Sequence, residues 1–167
     1  YCGFEDASTG NFTINDGTLV AGDSRTGSRY LSLGASGITK GSLTSSKKYT
    51  VTFWAKSNGG SFVVDGIGTV SPGSLSNWTL FEYTVTGLSS INIRRSGATE
   101  MLIDEVRIHP VNARMATSAY DRFGNVVSAC DPNNIISYLE YDEFLRPKLT
   151  RDRDKNIVNH TFYNIKK

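Results

Sequence analysis

The strongest constraint on this chain is the period of its apolar side chains, which recur every second residue in several short runs and nowhere hold a helical period. In Tyr49-Thr50-Val51-Thr52-Phe53-Trp54-Ala55-Lys56, one face collects Tyr49, Val51, Phe53 and Ala55, while Thr50, Thr52, Trp54 and Lys56 fall on the other. The run from Trp78 to Val85 turns Phe81, Tyr83 and Val85 inward, and Ile91-Asn92-Ile93-Arg94 alternates in the same way. Such a pattern predicts half-buried strands with one apolar and one polar face. In 102–109 it puts Leu102, Asp104, Val106 and Ile108 together, opposite Ile103, Glu105, Arg107 and His109, so an aspartate is expected among apolar side chains. Turn residues such as Asn15-Asp16-Gly17, Asn58-Gly59-Gly60 and Ser71-Pro72-Gly73 separate the runs. Short strands at this interval predict an all-β sandwich.

Pro110, which has no backbone donor, ends the last of these strands, and the sequence then changes character. This predicts a first domain over 1–112 and a second over 113–167. The second contains an internal repeat. Tyr120-Asp121-Arg122-Phe123-Gly124-Asn125 returns 21 residues later as Tyr141-Asp142-Glu143-Phe144-Leu145-Arg146, and Tyr163-Asn164 opens a third copy. Asp131 and Asp152 each follow 11 residues after the Tyr of their unit. Each unit reads as one β-hairpin, completed by the strand-like runs 135–141 and 157–163.

Size, charge and cysteines narrow the function. The 167 residues carry a formal net charge of +2 with both signs interspersed, which supplies no footprint for nucleic acid. No apolar run approaches the roughly 20 residues of a membrane span, so membrane insertion is not expected. Tyr1-Cys2-Gly3-Phe4 has neither a start Met nor a leader, and the chain is expected to begin inside a larger parent protein. Cys2 and Cys130 lie far apart, leaving open a single long-range disulfide or two unrelated thiols. No nucleophile motif accompanies His109 or His160, and the cysteines lack metal-ligand spacing, so no catalytic residue is assigned.

Tyr-Asp-x-Phe-Gly-Asn, Asp-Pro-Asn-Asn and Tyr-x-Glu-Tyr-Asp-x-Phe-x-Arg, over about 119–164, closely resemble the YD repeats of RHS and teneurin-type proteins. In that family many repeats wind into a hollow β-shell that encloses a toxin or joins cell-surface modules. Two copies cannot close a shell, and Leu145 stands where the second copy would carry its usual Gly. The resemblance implies a hairpin extension on the first domain or on a larger structure.

The first domain is similar to the jelly-roll carbohydrate-binding modules of the galactose-binding-like group. The likeness rests on Gly3-Phe4-Glu5-Asp6, Thr26-Gly27-Ser28-Arg29-Tyr30-Leu31-Ser32-Leu33, the runs at 49–56 and 77–86, and Ile103-Asp104-Glu105-Val106. It implies a bacterial extracellular or cell-surface location and a structural calcium held by Glu5, a carbonyl near Gly27, and Asp104. A buried carboxylate does require a partner, and calcium gathers such oxygens from distant segments. Backbone amides or Arg29 are the alternative partners of Asp104.

Sugar recognition calls for an aromatic platform edged by polar groups. Trp54 is the candidate platform, with Glu82, Asn92, Arg94 and Arg107 as rim groups on outward strand positions; Trp78 and Tyr83 are assigned to the core. The leading expectation is a non-catalytic module that recognises a polysaccharide or glycan. A structural or adhesive spacer is the alternative, followed by a C-terminal piece of an RHS toxin-type protein. Coverage of Trp54 by the C-terminal hairpins, or its packing at an edge, would favour the spacer.

Overall fold

The computed structural model describes residues 1–5 and 9–164. Every regular element among them is a β-strand. The chain divides into two compact units, Tyr1–Ala113 and Arg114–Lys167.

The first unit contains two five-stranded antiparallel sheets. One is built from β1 (Phe12–Ile14), β4 (Ile38–Lys40), β9 (Ile91–Ser96), β6 (Ser61–Val64) and β7 (Gly68–Val70), in that order. The other runs β2 (Gly17–Ala21), β3 (Arg29–Leu33), β10 (Leu102–Pro110), β5 (Lys48–Asn58) and β8 (Ser74–Thr86). Alternation decides what lies between them. Leu31, Leu33, Val51, Phe53, Ala55 and Ile103 from the second sheet join Phe12, Ile38, Phe62, Val64, Ile91 and Ile93 from the first in one buried core. Phe62 meets Phe53 edge-on at 5.2 Å and Phe81 at 5.0 Å between ring centroids, so three aromatic rings bridge the layers.

Strand β10 departs from the expected alternation. Asp104 pairs with Trp54, but the next residue of β10 in register with β5 is Arg107, opposite Thr52, and Glu105 has a φ of 53°. The extra residue is a β-bulge, which shifts the phase of everything after it. Ile103, Val106 and Ile108 therefore enter the core, and Asp104 and Arg107 lie on the opposite face of the sheet. The sequence-based grouping of Asp104 with Val106 and Ile108 is thus corrected. At the bulge Val106 exchanges two backbone hydrogen bonds with Cys2, of 2.8 and 2.9 Å, which fasten the N-terminal segment to the sheet.

The second unit is a five-stranded antiparallel meander of β11 (Thr117–Tyr120), β12 (Val126–Cys130), β13 (Ile136–Tyr141), β14 (Pro147–Arg151) and β15 (Ile157–His160). Its four connections are built alike. Asp121, Asp131, Asp142 and Asp152 each use one carboxylate oxygen to accept the amides two and four residues ahead, at 2.8–2.9 Å. The third residue after each Asp, namely Gly124, Asn134, Leu145 or Lys155, has a positive φ. Each repeat unit thus contributes two strands and two such turns where the sequence suggested a single hairpin. The side chains of Asn125, Arg146 and Asn156 hold the carboxyls of Asp121, Asp142 and Asp152, respectively, below the usual range. Neighbouring units are tied by tyrosines, since Tyr141 donates to the Val126 carbonyl at 2.9 Å and Tyr163 to that of Pro147 at 2.8 Å.

Leu145 occupies its left-handed position at φ 59° with its side chain 47% exposed, so it carries the steric cost of that conformation without burying its apolar surface. Leu145→Gly is expected to stabilise the second unit by about 1 kcal/mol, net of the entropy glycine adds to the unfolded chain. Hydrogen exchange of the β13–β14 amides reads the change, and slower exchange is the expected result.

Candidate functional site

The two outer faces of the sandwich differ in chemistry. On the β1-β4-β9-β6-β7 sheet, cross-strand partners set Thr13, Thr39 and Asn92 in one row and Arg94, Val63 and Thr69 in another. No aromatic residue is among these. Asn92 donates to the Ser36 carbonyl and to Thr39 Oγ1, both at 2.9 Å, and Arg94 bonds Asp65 Oδ1 at 2.9 Å. Those polar groups are engaged by Thr39 of the sheet and by Ser36 and Asp65 in its connecting loops.

The outer face of the β2-β3-β10-β5-β8 sheet carries Tyr30, Trp54 and Trp78. Tyr30 alternates with the core residues Leu31 and Leu33, and Trp78 shares the parity of Leu80, which lies directly opposite Trp54. Tyr30 and Trp78 meet edge-to-face at 5.8 Å, both half-buried. Trp78 Nε1 donates to the Asp23 carbonyl at 2.9 Å, while the Asp23 carboxylate pairs with Lys56 Nζ at 2.9 Å. Exposed Glu82 follows on β8, opposite Thr52. The result is a partly open aromatic pair bordered by charged side chains, suited to C–H faces and hydroxyls.

The structure distributes the five sequence-predicted ligand residues differently from expectation. Trp54, Glu82 and Arg107 belong to this sheet, and Asn92 and Arg94 to the other, so the set does not converge. Trp54 is 8% exposed, and the Arg25 guanidinium lies 4.0 Å from its ring centroid, so it is a covered ring and not an open platform. Arg107 is 2% exposed and pairs with Glu105 at 3.4 Å, which removes it from the rim. Trp78 sits outside the core to which it was assigned. Tyr83 does pack against the core. Tyr30 and Trp78 are the residues that sequence reasoning passed over. Extending the alternation back from Phe81 and Tyr83 would have turned Trp78 outward.

The 22–28 loop joins β2 to β3 and is gripped by acids from distant segments. Asp104 Oδ2 accepts the amides of Arg25 at 2.8 Å and Thr26 at 3.0 Å, and its Oδ1 accepts the Glu105 amide at 2.7 Å. Glu5 accepts the amides of Ser28 at 2.8 Å and Arg29 at 3.0 Å. Its carboxylate lies over Gly27, where an added Cβ would meet the carboxyl carbon at 2.2 Å. Glu105 Oε1 takes hydrogen bonds from Thr26 Oγ1 and, at 2.7 Å, from the Tyr1 hydroxyl. Burial pushes the Asp104 carboxyl well above its usual range, against the pull of the Thr26, Glu105 and Arg25 amides. Glu5, Gly27 and Asp104, the expected calcium set, are thus gathered at one loop. No group of three or more His, Cys, Asp or Glu among the described residues is arranged to hold a metal ion.

No protein-family model matches the chain, and no curated protein matches it by sequence. Among solved structures, it resembles the CBM22-1 xylan-binding domain of Paenibacillus barcinonensis Xyn10C, with a TM-score of 0.51 and 16% identity, over 67% of this chain and 93% of that domain. The CBM22-1 and GH10 modules of Clostridium thermocellum xylanase 10B, complexed with xylohexaose, match at 15% identity and a TM-score of 0.44, over 60% of this chain and 26% of that one. The first of these likenesses shows the fold alone, a β-sandwich like that of the Paenibacillus domain. No helix in the described residues is long and apolar enough to cross a membrane.

Proposed function

We propose that the first unit is a non-catalytic glycan-recognition module of a larger extracellular or cell-surface protein, and that its contact surface is the outer face bearing Tyr30 and Trp78. The observation that carries this reading is the concentration of aromatic rings on one outer face, with Lys56 and Asp23 beside Trp78 and Glu82 further along β8, while the described strand positions of the other face offer polar and aliphatic groups. A pyranose ring stacks on the indole and its hydroxyls reach the charged border. Calorimetric titration with soluble xylan and a panel of bacterial and host polysaccharides is the test. Trp78→Ala is expected to weaken binding at least about tenfold, or about 1.4 kcal/mol. If no polysaccharide binds, or if Trp78→Ala and Tyr30→Ala bind as well as the parent, the reading fails. The spacer reading then takes its place, supported by the cover that Arg25 lays over Trp54.

The second unit is, on this proposal, a short run of YD repeats, supported by the recurrence of the Tyr-Asp motif and the shared build of its turns. Calcium belongs to the same proposal. Glu5 and Asp104 bring hard carboxylate oxygens from opposite ends of the first unit to one loop, and Glu5 Oε1 and Asp104 Oδ1, which each accept one amide, keep a lone pair for a cation. With the Gly27 carbonyl they would hold an ion that joins the N-terminal segment to β10. Adding calcium to chelator-treated protein is expected to raise the melting temperature of the first unit by several degrees. An unchanged melt removes the ion from the account.

A further inference from the structure

The edges of the sandwich are not alike. Strands β1 and β7 bound one sheet with 3 residues each, and β2 bounds the other with 5. The remaining edge, β8, is 13 residues long. Its pairing with β5 runs without a register shift from Lys48 opposite Thr86 to Ala55 opposite Thr79, and the one irregularity lies beyond Ala55. Among the described residues, no hydrogen bond joins the backbone of 80–86 to any strand or loop other than β5.

Such an edge presents a row of amides and carbonyls that water alone serves, and proteins ordinarily blunt it with lysine, proline, a bulge or a cover. The stretch Leu80-Phe81-Glu82-Tyr83-Thr84-Val85-Thr86 has neither Lys nor Pro, Glu82 is its one charge, and its register against β5 contains no bulge. Aromatic and β-branched residues fill most of it, which suits it to a pleated sheet. The side chains of Glu82, Thr84 and Thr86 are exposed and therefore open to a neighbour.

An edge of this kind accepts an extended strand, and the strand that fits it is its own copy. Antiparallel pairing of β8 with itself requires a two-fold axis perpendicular to the sheet, which sets core-side residues opposite core-side residues and outer opposite outer. Tyr83 is the midpoint of 80–86, and with the axis there the whole stretch is paired. Phe81 then faces Val85 of the second copy, an aromatic against a β-branched residue, Glu82 faces Thr84, and Leu80 faces Thr86. Moving the axis to Glu82 would oppose that carboxylate to its like, which is destabilising.

We propose that β8 is a dimerisation edge: two copies of this chain pair antiparallel through 80–86 about a two-fold axis at Tyr83, joining their β2-β3-β10-β5-β8 sheets into one continuous sheet. The inference is independent of the glycan reading. Where both hold, the perpendicular axis turns the two Tyr30–Trp78 surfaces the same way, so one polymer engages both.

The test is sedimentation equilibrium of the full chain over a concentration series, and a monomer–dimer equilibrium is expected. Thr84 supplies the variants, because it meets Glu82 of the second copy on both sides of the axis. T84E opposes like charges and is expected to weaken dimerisation at least about tenfold, whereas T84K opposes unlike charges and is expected to tighten it about as much. Within one chain both variants face the same residue, Thr50 of β5, and melts by circular dichroism check that both fold as the parent does. Effects of opposite sign at one position cannot come from a loss of folding. A dimer that responds to neither variant, or to both in one direction, overturns the proposal. A monomer at every concentration up to about 1 mM overturns the second copy as occupant and leaves the edge to an extended strand of a different protein. Species larger than a dimer overturn it as well, because a two-fold contact closes on itself.

Discussion

Asp104→Ala is expected to destabilise the first unit by about 3–5 kcal/mol, because it strands three backbone amides at once in a site closed to water. Asp104 is 0% exposed, and the amides of Arg25, Thr26 and Glu105 all end on its carboxyl. Alanine removes every acceptor and leaves a gap beneath the 22–28 loop. Asp104→Asn keeps one carbonyl oxygen but turns an amide NH₂ toward a donor, so about half the loss is expected to remain. Urea unfolding followed by tryptophan emission isolates the effect, since Trp54 and Trp78 both lie in the first unit. A loss below about 1 kcal/mol would mean that water reaches the amides. The pH dependence follows from burial, which raises the folded-state pKa above the unfolded one. The folded form then holds the proton more tightly, so this group's stabilising contribution grows as pH falls through its raised pKa and is lost as pH rises through it. Melts of Asp104→Ala should lack that component.

Arg107→Met is expected to cost about 3–5 kcal/mol through a different mechanism, the loss of the guanidinium paired with a buried carboxylate. Arg107 and Glu105 are each 2% exposed, and Asp104 is the adjacent residue. Methionine fills much of the volume, so the penalty is electrostatic and not a cavity. A double-mutant cycle with Glu105→Gln tests this. The double variant should recover at least half of the loss, because a neutral amide asks less of its surroundings than a carboxylate. A double variant as unstable as the sum of the two single ones would assign the cost to packing.

Where local patterning decides the outcome, the fold is readable from the residues. The alternation of Tyr49 to Ala55 and of Phe81 to Val85 gives the correct buried faces, because long central strands keep their phase. It fails at β10, where the bulge at Glu105 inverts the side on which Asp104 stands; a register shift depends on pairing across strands. The candidate site is less legible. Trp54 does lie on the outer side of its strand, but the loop that lays Arg25 over it lies 29 residues earlier, and that approach leaves no periodic mark. Asn92 and Arg94 point outward as expected, on a sheet that alternation alone cannot distinguish from its partner. In the second unit the Tyr-Asp interval and the matching offsets of Asp131 and Asp152 reveal the repeat, while the common build of all four turns shows only in their hydrogen bonding.

Those four turns have a consequence for how such a chain changes over generations. Each is closed by its own aspartate, which accepts amides two and four residues ahead. A duplication or deletion of one 21-residue period by slippage in the coding sequence therefore delivers or removes parts that are already complete. Length along this stretch is then an easily inherited variable, and the spacing of whatever flanks it can be adjusted in whole periods without redesigning the remainder.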